Sequence, residues 1–151
     1  MKVTPKMEFW SAFKKVMFYD YANFTGRARR SEFYWYYFAL IVIFACFAML
    51  CHIPALFFCY VNDVEKITLF SDILVWFYVV YKIITLIPSM AVSARRLHDI
   101  GYSGLASLFC LIPFLGSAII MIICMKDSQV DENKYGISPK YFDEEEEFCY
   151  M

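Results

Sequence analysis

The feature that most constrains this chain is a set of three long apolar blocks with very few charged residues. They cover residues 33–60, 69–94 and 105–125. Each is long enough for a helix to cross a bilayer, which takes roughly 20 residues. None alternates apolar and polar residues as a half-buried strand does. A chain in lipid must satisfy its backbone hydrogen bonds internally, so the blocks predict helices. We predict an all-α integral membrane helical bundle with about three transmembrane helices.

Composition supports this class and offers little evidence for a metal or redox site. The chain is 61% hydrophobic with a mean hydropathy of +0.51, whereas soluble domains are about 45–50% apolar. A net charge of −1 indicates no nucleic-acid partner. We interpret most of the cysteines as small buried hydrophobes, because no CxxC pair or histidine cluster accompanies them. We therefore expect no metal and no cofactor. The cysteines are Cys46, Cys51, Cys59, Cys110, Cys124 and Cys149.

The flanking charges predict the orientation of the spans. The arm 1–32 carries seven lysines and arginines, and the loop 92–104 adds Arg95 and Arg96, whereas the loop 61–68 has only Lys66. Positive residues favour the cytoplasmic side. We therefore expect a multi-pass protein with a cytoplasmic N-terminus. The first thirty residues are too polar for a cleavable signal peptide.

The third block leaves two topologies open. Pro113 and Gly116 lie in its middle, and we favour a simple crossing with a kink at Pro113. The alternative is a re-entrant hairpin that turns at IPFLG and returns the tail to the cytoplasm. In both cases the domains are the arm 1–32, the transmembrane region 33–126 and an acidic tail 127–151. The acidic run 144–147 predicts a solvated end.

The arm 1–32 has an amphipathic pattern. Apolar residues recur at helical spacing beside two lysines, and Thr4 with Pro5 suits a helix start. We predict a basic helix lying in the membrane interface. The alternative is an ordinary helix packed on the end of the bundle. The residues of this pattern are Phe9, Trp10, Phe13, Lys14, Lys15, Val16 and Met17.

Two charged motifs are predicted to face each other. GRARRSEFYW precedes the first block and RRLHDIGYSG follows the second, so two crossings separate them and both lie on one side of the membrane. Three interpretations stay open for the arginines: they only set the topology, they bind the phosphate of an anionic lipid or ligand, or they latch the bundle through ion pairs. The candidate residues are Arg27, Arg29, Arg30, Glu32, Arg95, Arg96, His98 and Asp99.

The pattern does not favour catalysis. His98 and Asp99 are adjacent, and no further histidine, serine or cysteine completes a triad or a metal site at a suitable spacing. We expect a non-enzymatic protein. Lys82 is a charged residue deep within the second block. Such a residue indicates a functional role, because a charge inside the membrane is costly. The alternative is that its long side chain extends to the membrane surface. Lys82 and the Pro-interrupted blocks motivate the alternative function, a small oligomeric transporter or channel subunit.

Four segments in order, GRARRSEFYW, RRLHDIGYSG, LIPFLG and NKYGISPK, resemble the DUF805 family over about residues 16–140. The resemblance implies a small protein of the bacterial inner membrane and no assigned activity. The expected partners are membrane lipids, anionic ones among them, and either further copies of the chain or another membrane protein. If NKYGISPK packs against the arginines, the third block must be re-entrant. The residues matching the tail motif are Asn133, Tyr135, Gly136 and Pro139.

Overall fold

The structure is a computed structural model that describes residues 2–3, 7–61, 63–112 and 115–142. It is helical apart from one short antiparallel pairing, in which Lys2 lies opposite Phe142 and Val3 opposite Tyr141. The all-α prediction is confirmed. In chain order, the elements are β1 (Lys2–Val3), α1 (Phe9–Lys14), a π-helical turn (Lys15–Tyr19), α2 (Arg30–Tyr60), α3 (Val64–Asp99), a 3-10 helix (Gly104–Leu111), α4 (Leu115–Ile123) and β2 (Tyr141–Phe142).

Two helices, α2 and α3, are long and apolar enough to cross a membrane. They contain the first two predicted spans and extend beyond them at one or both ends. Many of their large apolar side chains are exposed, as Leu50 and Trp76 are at 69% and 70%. Apolar surface on this scale is costly in water and suits a lipid environment.

The chain divides into two compact units. One consists of residues 38–85, the central parts of α2 and α3 with their connection. Aromatic contacts hold these two helix segments together: the rings of Phe47 and Phe77 stack with centroids 3.5 Å apart. The Tyr81 hydroxyl donates a hydrogen bond of 2.8 Å to the Leu40 carbonyl.

The other unit consists of residues 1–37 with 86–151, and it contains both charged motifs. Its core combines α1, the start of α2, the end of α3 and α4. Small side chains near the end of α3, such as Ala91 and Ser93, are buried and allow close helix approach. The largest apolar side chains of this core are Phe33, Tyr36, Leu97 and Ile120.

A glycine turn ends α3. Gly101 has a φ of +83°, a conformation that residues with a Cβ rarely adopt. The Tyr102 N–H bonds to the Leu97 carbonyl at 2.9 Å and the Gly101 N–H to the His98 carbonyl at 3.1 Å. This is the Schellman pattern, which satisfies the last carbonyls of a helix. It directs the chain from Asp99 into the 3-10 helix.

The predicted third span is not one continuous helix in the structure, and a third crossing is not confirmed. Residues 105–111 belong to the 3-10 helix and residues 115–123 form α4, and the 3-10 helix is capped by Ile112, whose backbone is extended. The Cα of Gly116 packs so closely on the Phe109 carbonyl that no Cβ would fit. This contact, which only glycine allows, packs the start of α4 against the 3-10 helix. Gly104 meets His98 and the Cys124 carbonyl meets Arg96, so both ends of the block lie at the end of α3 and the block is a hairpin. Pro113, the predicted kink, lies outside the described residues.

The arm forms a shorter helix than its pattern predicts. α1 begins at Phe9, and Thr4 and Pro5, the predicted start, lie outside the described residues. Ala12 and Val16 are fully buried, so one face packs on the unit that contains both charged motifs. The other face carries exposed aromatic residues. The interfacial position of the arm stays a prediction.

Candidate functional site

Asp99 is the centre of the site. Its carboxylate is fully buried and forms two ion pairs. Oδ1 lies 2.9 Å from Arg27 Nε, and Oδ2 contacts Arg96 Nη1. The side chains of both arginines are also buried. Two buried guanidinium groups share one carboxylate, and one positive charge remains in excess. Buried charge is expensive unless further hydrogen bonds satisfy it.

Arg27 satisfies its remaining donors with carbonyl oxygens of the C-terminal segment. Nη1 donates to the carbonyls of Asp131 at 3.0 Å and Gly136 at 3.1 Å. Nη2 donates to the carbonyl of Gln129 at 2.6 Å and to that of Asp99 at 3.3 Å. A guanidinium has five N–H donors, and all five of Arg27 have acceptors. The excess positive charge therefore faces the negative ends of peptide dipoles.

Arg96 is saturated in the same way. Nε and Nη2 both donate to the Cys124 carbonyl, at 3.3 and 3.2 Å, and Nη2 also donates to the Lys126 carbonyl. Nη1 donates to Ser128 Oγ at 3.3 Å and to the Asp99 carboxylate. All five donors are again used. We call Arg27, Arg95, Arg96, Glu32 and Asp99 the arginine cluster, and residues 124–136 the C-terminal segment.

Arg95 makes a second group of ion pairs beside the first. Its Nη1 lies 2.9 Å from both Glu32 Oε1 and Asp20 Oδ2, and Lys15 Nζ donates to Glu32 Oε2 at 3.0 Å. The pair with Glu32 lacks hydrogen-bond alignment. Among the described residues, Nε and Nη2 of Arg95 have no hydrogen-bond partner. The carboxylates thus converge on one nitrogen, and this group joins the arm, α2 and α3.

His98 connects the cluster to the tail motif. Its Nδ1 lies 3.1 Å from the Gly26 carbonyl, which can only accept, so Nδ1 carries a proton. Its ring stacks on Tyr135, and Asn133 Nδ2 donates to the His98 carbonyl at 3.0 Å. Asn133 and Gly136 close a tight turn through paired backbone hydrogen bonds. The turn in NKYGISPK therefore packs on the second charged motif.

The edge of the site carries exposed ion pairs. Arg30 Nη2 lies 2.8 Å from Asp127 Oδ1, and its Nη1 donates to the Met125 carbonyl at 3.1 Å. Lys140 Nζ lies 2.9 Å from both oxygens of Asp127. The hydrogen bond from Lys140 lowers the pKa of the Asp127 carboxyl below its usual value. The charged carboxylate is thus the form that this edge favours.

The structure brings most of the predicted residues together within the unit formed by residues 1–37 and 86–151. Arg29 and Pro139 are both half-buried. Arg29 lies two residues after Arg27 in the sequence, and Pro139 lies three residues after Gly136, where the tail turn ends. Lys82 belongs to the unit 38–85, where it is exposed and its Nζ lies 5.9 Å from the Tyr78 ring centroid. The transporter alternative stays a prediction.

Two contributors to the site were not predicted. These are Asp20 and Lys15. The one sequence feature that could have identified them is that each is a charged residue close to the first motif. The carbonyl oxygens of the C-terminal segment have no such signal, since every residue supplies one. In the part of the chain that the structure describes, no three histidine, cysteine, aspartate or glutamate side chains are grouped to hold a metal ion.

Comparison with known proteins identifies related chains of the same kind. A family model described as "Protein of unknown function (DUF805)" matches residues 21–137. The Inner membrane protein YhaI of Escherichia coli is 30% identical over 122 residues, which cover 81% of this chain and 90% of that protein. The Inner membrane protein YhaH of Escherichia coli is 30% identical over 129 residues, covering 80% and 90%. No solved structure matches the chain.

Proposed function

Since the chain belongs to the DUF805 family, we propose that it is a multi-pass protein of the bacterial inner membrane whose arginine cluster latches the C-terminal segment to the cytoplasmic end of its helices. The role is non-enzymatic. The latch fixes a folded cytoplasmic surface on a membrane anchor, and that surface serves as the contact for a ligand or partner.

One observation carries the proposal. Every guanidinium donor of Arg27 and Arg96 is directed at Asp99, at Ser128 or at backbone carbonyls, and all but one of those carbonyls belong to the C-terminal segment. A phosphate at these arginines would have to displace hydrogen bonds that are already made. The two side chains are therefore better suited to fastening the chain than to receiving an anion.

The latch implies a topology with both ends in the cytoplasm. β1 pairs with β2, so residues near the two ends of the chain lie together. Both ends of the hairpin also meet the end of α3, at His98 and at Arg96. The 3-10 helix is about 16 Å long at about 2 Å per residue, roughly half of the 30 Å hydrocarbon core. In this proposal α2 and α3 cross the bilayer, and the hairpin enters and returns.

The ligand surface lies at the edge of the cluster. Arg30 has a side chain that is 39% exposed, and Lys126 is exposed with its Nζ 5.7 Å from the Tyr102 ring centroid. Basic residues at this level suit the head group of an anionic lipid or an acidic patch on a partner. Arg30→Gln with Lys126→Gln should weaken the binding of anionic lipid to the detergent-solubilised protein. Unchanged binding would reject the lipid and favour a protein partner.

The topology is tested with reporters that are active on one side of the membrane only. Fusions at the N-terminus, between α2 and α3, and after Met151 should give cytoplasmic, external and cytoplasmic signals. The middle fusion is the matched control, because both topologies place it outside. An external signal after Met151 would overturn the latch, since the C-terminal segment could not then reach the arginines.

A further inference from the structure

An exposed stripe of aromatic and basic side chains runs along the arm. Trp10, Lys14 and Phe18 are spaced four residues apart across α1 and the π-helical turn. Trp10 is 58% exposed and Phe18 71%, and Lys14 Nζ lies 5.3 Å from the Trp10 ring centroid. Tyr19, at 83% exposed, extends the stripe. Large aromatic residues gathered on one exposed face mark a contact surface.

The opposite face of the arm is already occupied. Ala12 and Val16 are fully buried, and Lys15 on the same side binds Glu32. The packing of the arm on its unit therefore does not use the stripe. The two surfaces have different chemistry, with small aliphatic residues inside and aromatic rings with a cation outside.

The start of α1 in the arm packs beside the first turns of α2, where the sequence of α2 becomes apolar. The ring of Phe9 packs edge-on against Trp35, with centroids 5.7 Å apart. Trp35 stands five residues after Arg30, the first residue of α2, and is 40% exposed. Tryptophan at the end of an apolar helix is typical of the membrane–water interface. The contact sets the arm beside that boundary.

We propose that Trp10, Lys14, Phe18 and Tyr19 form a surface that lies in the head-group region of the cytoplasmic leaflet. The rings insert at the boundary with the acyl chains, and Lys14 meets the phosphate of an anionic lipid. Four lysines against one glutamate in residues 1–19 favour a negatively charged surface. The inference rests on the proposed inner-membrane placement.

Tryptophan fluorescence in vesicles tests the surface on the full-length chain. The variant Trp35→Phe with Trp76→Phe keeps Trp10 as its one tryptophan. The matched control, Trp10→Phe with Trp35→Phe, keeps Trp76 on the exposed face of α3. Lipids brominated near the head group or deep in the acyl chain serve as quenchers from the membrane, and iodide serves as the quencher from water.

The expected result is strong quenching of Trp10 by the shallow bromines and weak quenching by the deep ones and by iodide. Lys14→Gln in the Trp10 variant should reduce the shallow quenching in vesicles with anionic lipid and leave it unchanged in purely zwitterionic vesicles. Equal effects in both kinds of vesicle would overturn the role of the anionic phosphate. Trp76 should be quenched by bromines in every case.

Three outcomes would overturn the proposal, each with a different meaning. Quenching of Trp10 by iodide alone, with Trp76 quenched by lipid, would place the stripe in water and keep the membrane placement. Protection of Trp10 from all quenchers would mean that protein covers it. Failure of the bromines to quench Trp76 would instead reject the membrane placement itself.

Discussion

His98 and Tyr135 stack face to face, with ring centroids 3.7 Å apart and ring planes within 9° of parallel. They come from the end of α3 and from the tail motif, so their contact joins two segments that are distant in sequence. An aromatic pair of this kind contributes about 0.5–1.5 kcal/mol beyond its buried area.

Tyr135→Ala should lower the free energy of unfolding by about 1 kcal/mol or more, because it removes the stacked ring. Tyr135→Phe is the matched control and keeps the ring. Thermal unfolding in detergent measures both. The stack has no stabilising role if Tyr135→Ala unfolds at the temperature of Tyr135→Phe.

Arg96→Lys should be severely destabilising although the charge is kept. Lysine cannot reproduce the planar set of donors that reaches Cys124, Ser128 and Asp99 together. Breaking one partner of a buried pair costs about 3–5 kcal/mol. The measurement is the free energy of unfolding, together with the rate of proteolysis in the C-terminal segment.

The control for that change is Arg30→Lys at the exposed edge, where an ion pair is worth about 1 kcal/mol or less. The latch predicts a large difference between the two variants. Equal and small losses would show that the buried arginine does not hold the segment.

Gly116→Ala should disrupt the hairpin, because the new Cβ would overlap the backbone carbonyl of Phe109. Backbone cannot move aside as a side chain does, and overpacking of this kind costs about 1–3 kcal/mol. Ala118→Ser, at an exposed position of the same helix, is the control and should unfold as the native chain does. Comparable stability of both variants would contradict the hairpin.

Acid should remove a small part of the stability through Asp127. The hydrogen bond from Lys140 lowers the pKa of the carboxyl, so its contribution is present above the unfolded value of about 3.9 and is lost as pH falls through the folded value. The side chain is 50% exposed, so solvent screening keeps the contribution below about 1 kcal/mol.

Stability measured between pH 7 and pH 3 tests this assignment. The difference between the native chain and Asp127→Asn should shrink as pH falls below about 4. A difference that stays constant over the whole range would show that the carboxylate charge is not responsible.

Several features of the fold could be predicted from local pattern alone. The helices α2 and α3 follow from length and apolarity, because a continuous apolar run in lipid has few alternatives to a helix. The two charged motifs were expected on one side because two crossings separate them. In the structure, ion pairs of Glu32 with Arg95 and of Asp99 with Arg27 join the two motifs.

The sequence by itself determined that the chain is helical, which blocks are apolar, and that the two charged motifs can meet. Only the tertiary structure decided that the third block is a hairpin and that the tail is fastened to Arg27 and Arg96. The hairpin depends on the fit of Gly116 against one carbonyl, and the latch on carbonyl oxygens that every residue carries. Neither leaves a hydropathy or charge signal, because both depend on where the folded backbone places its atoms.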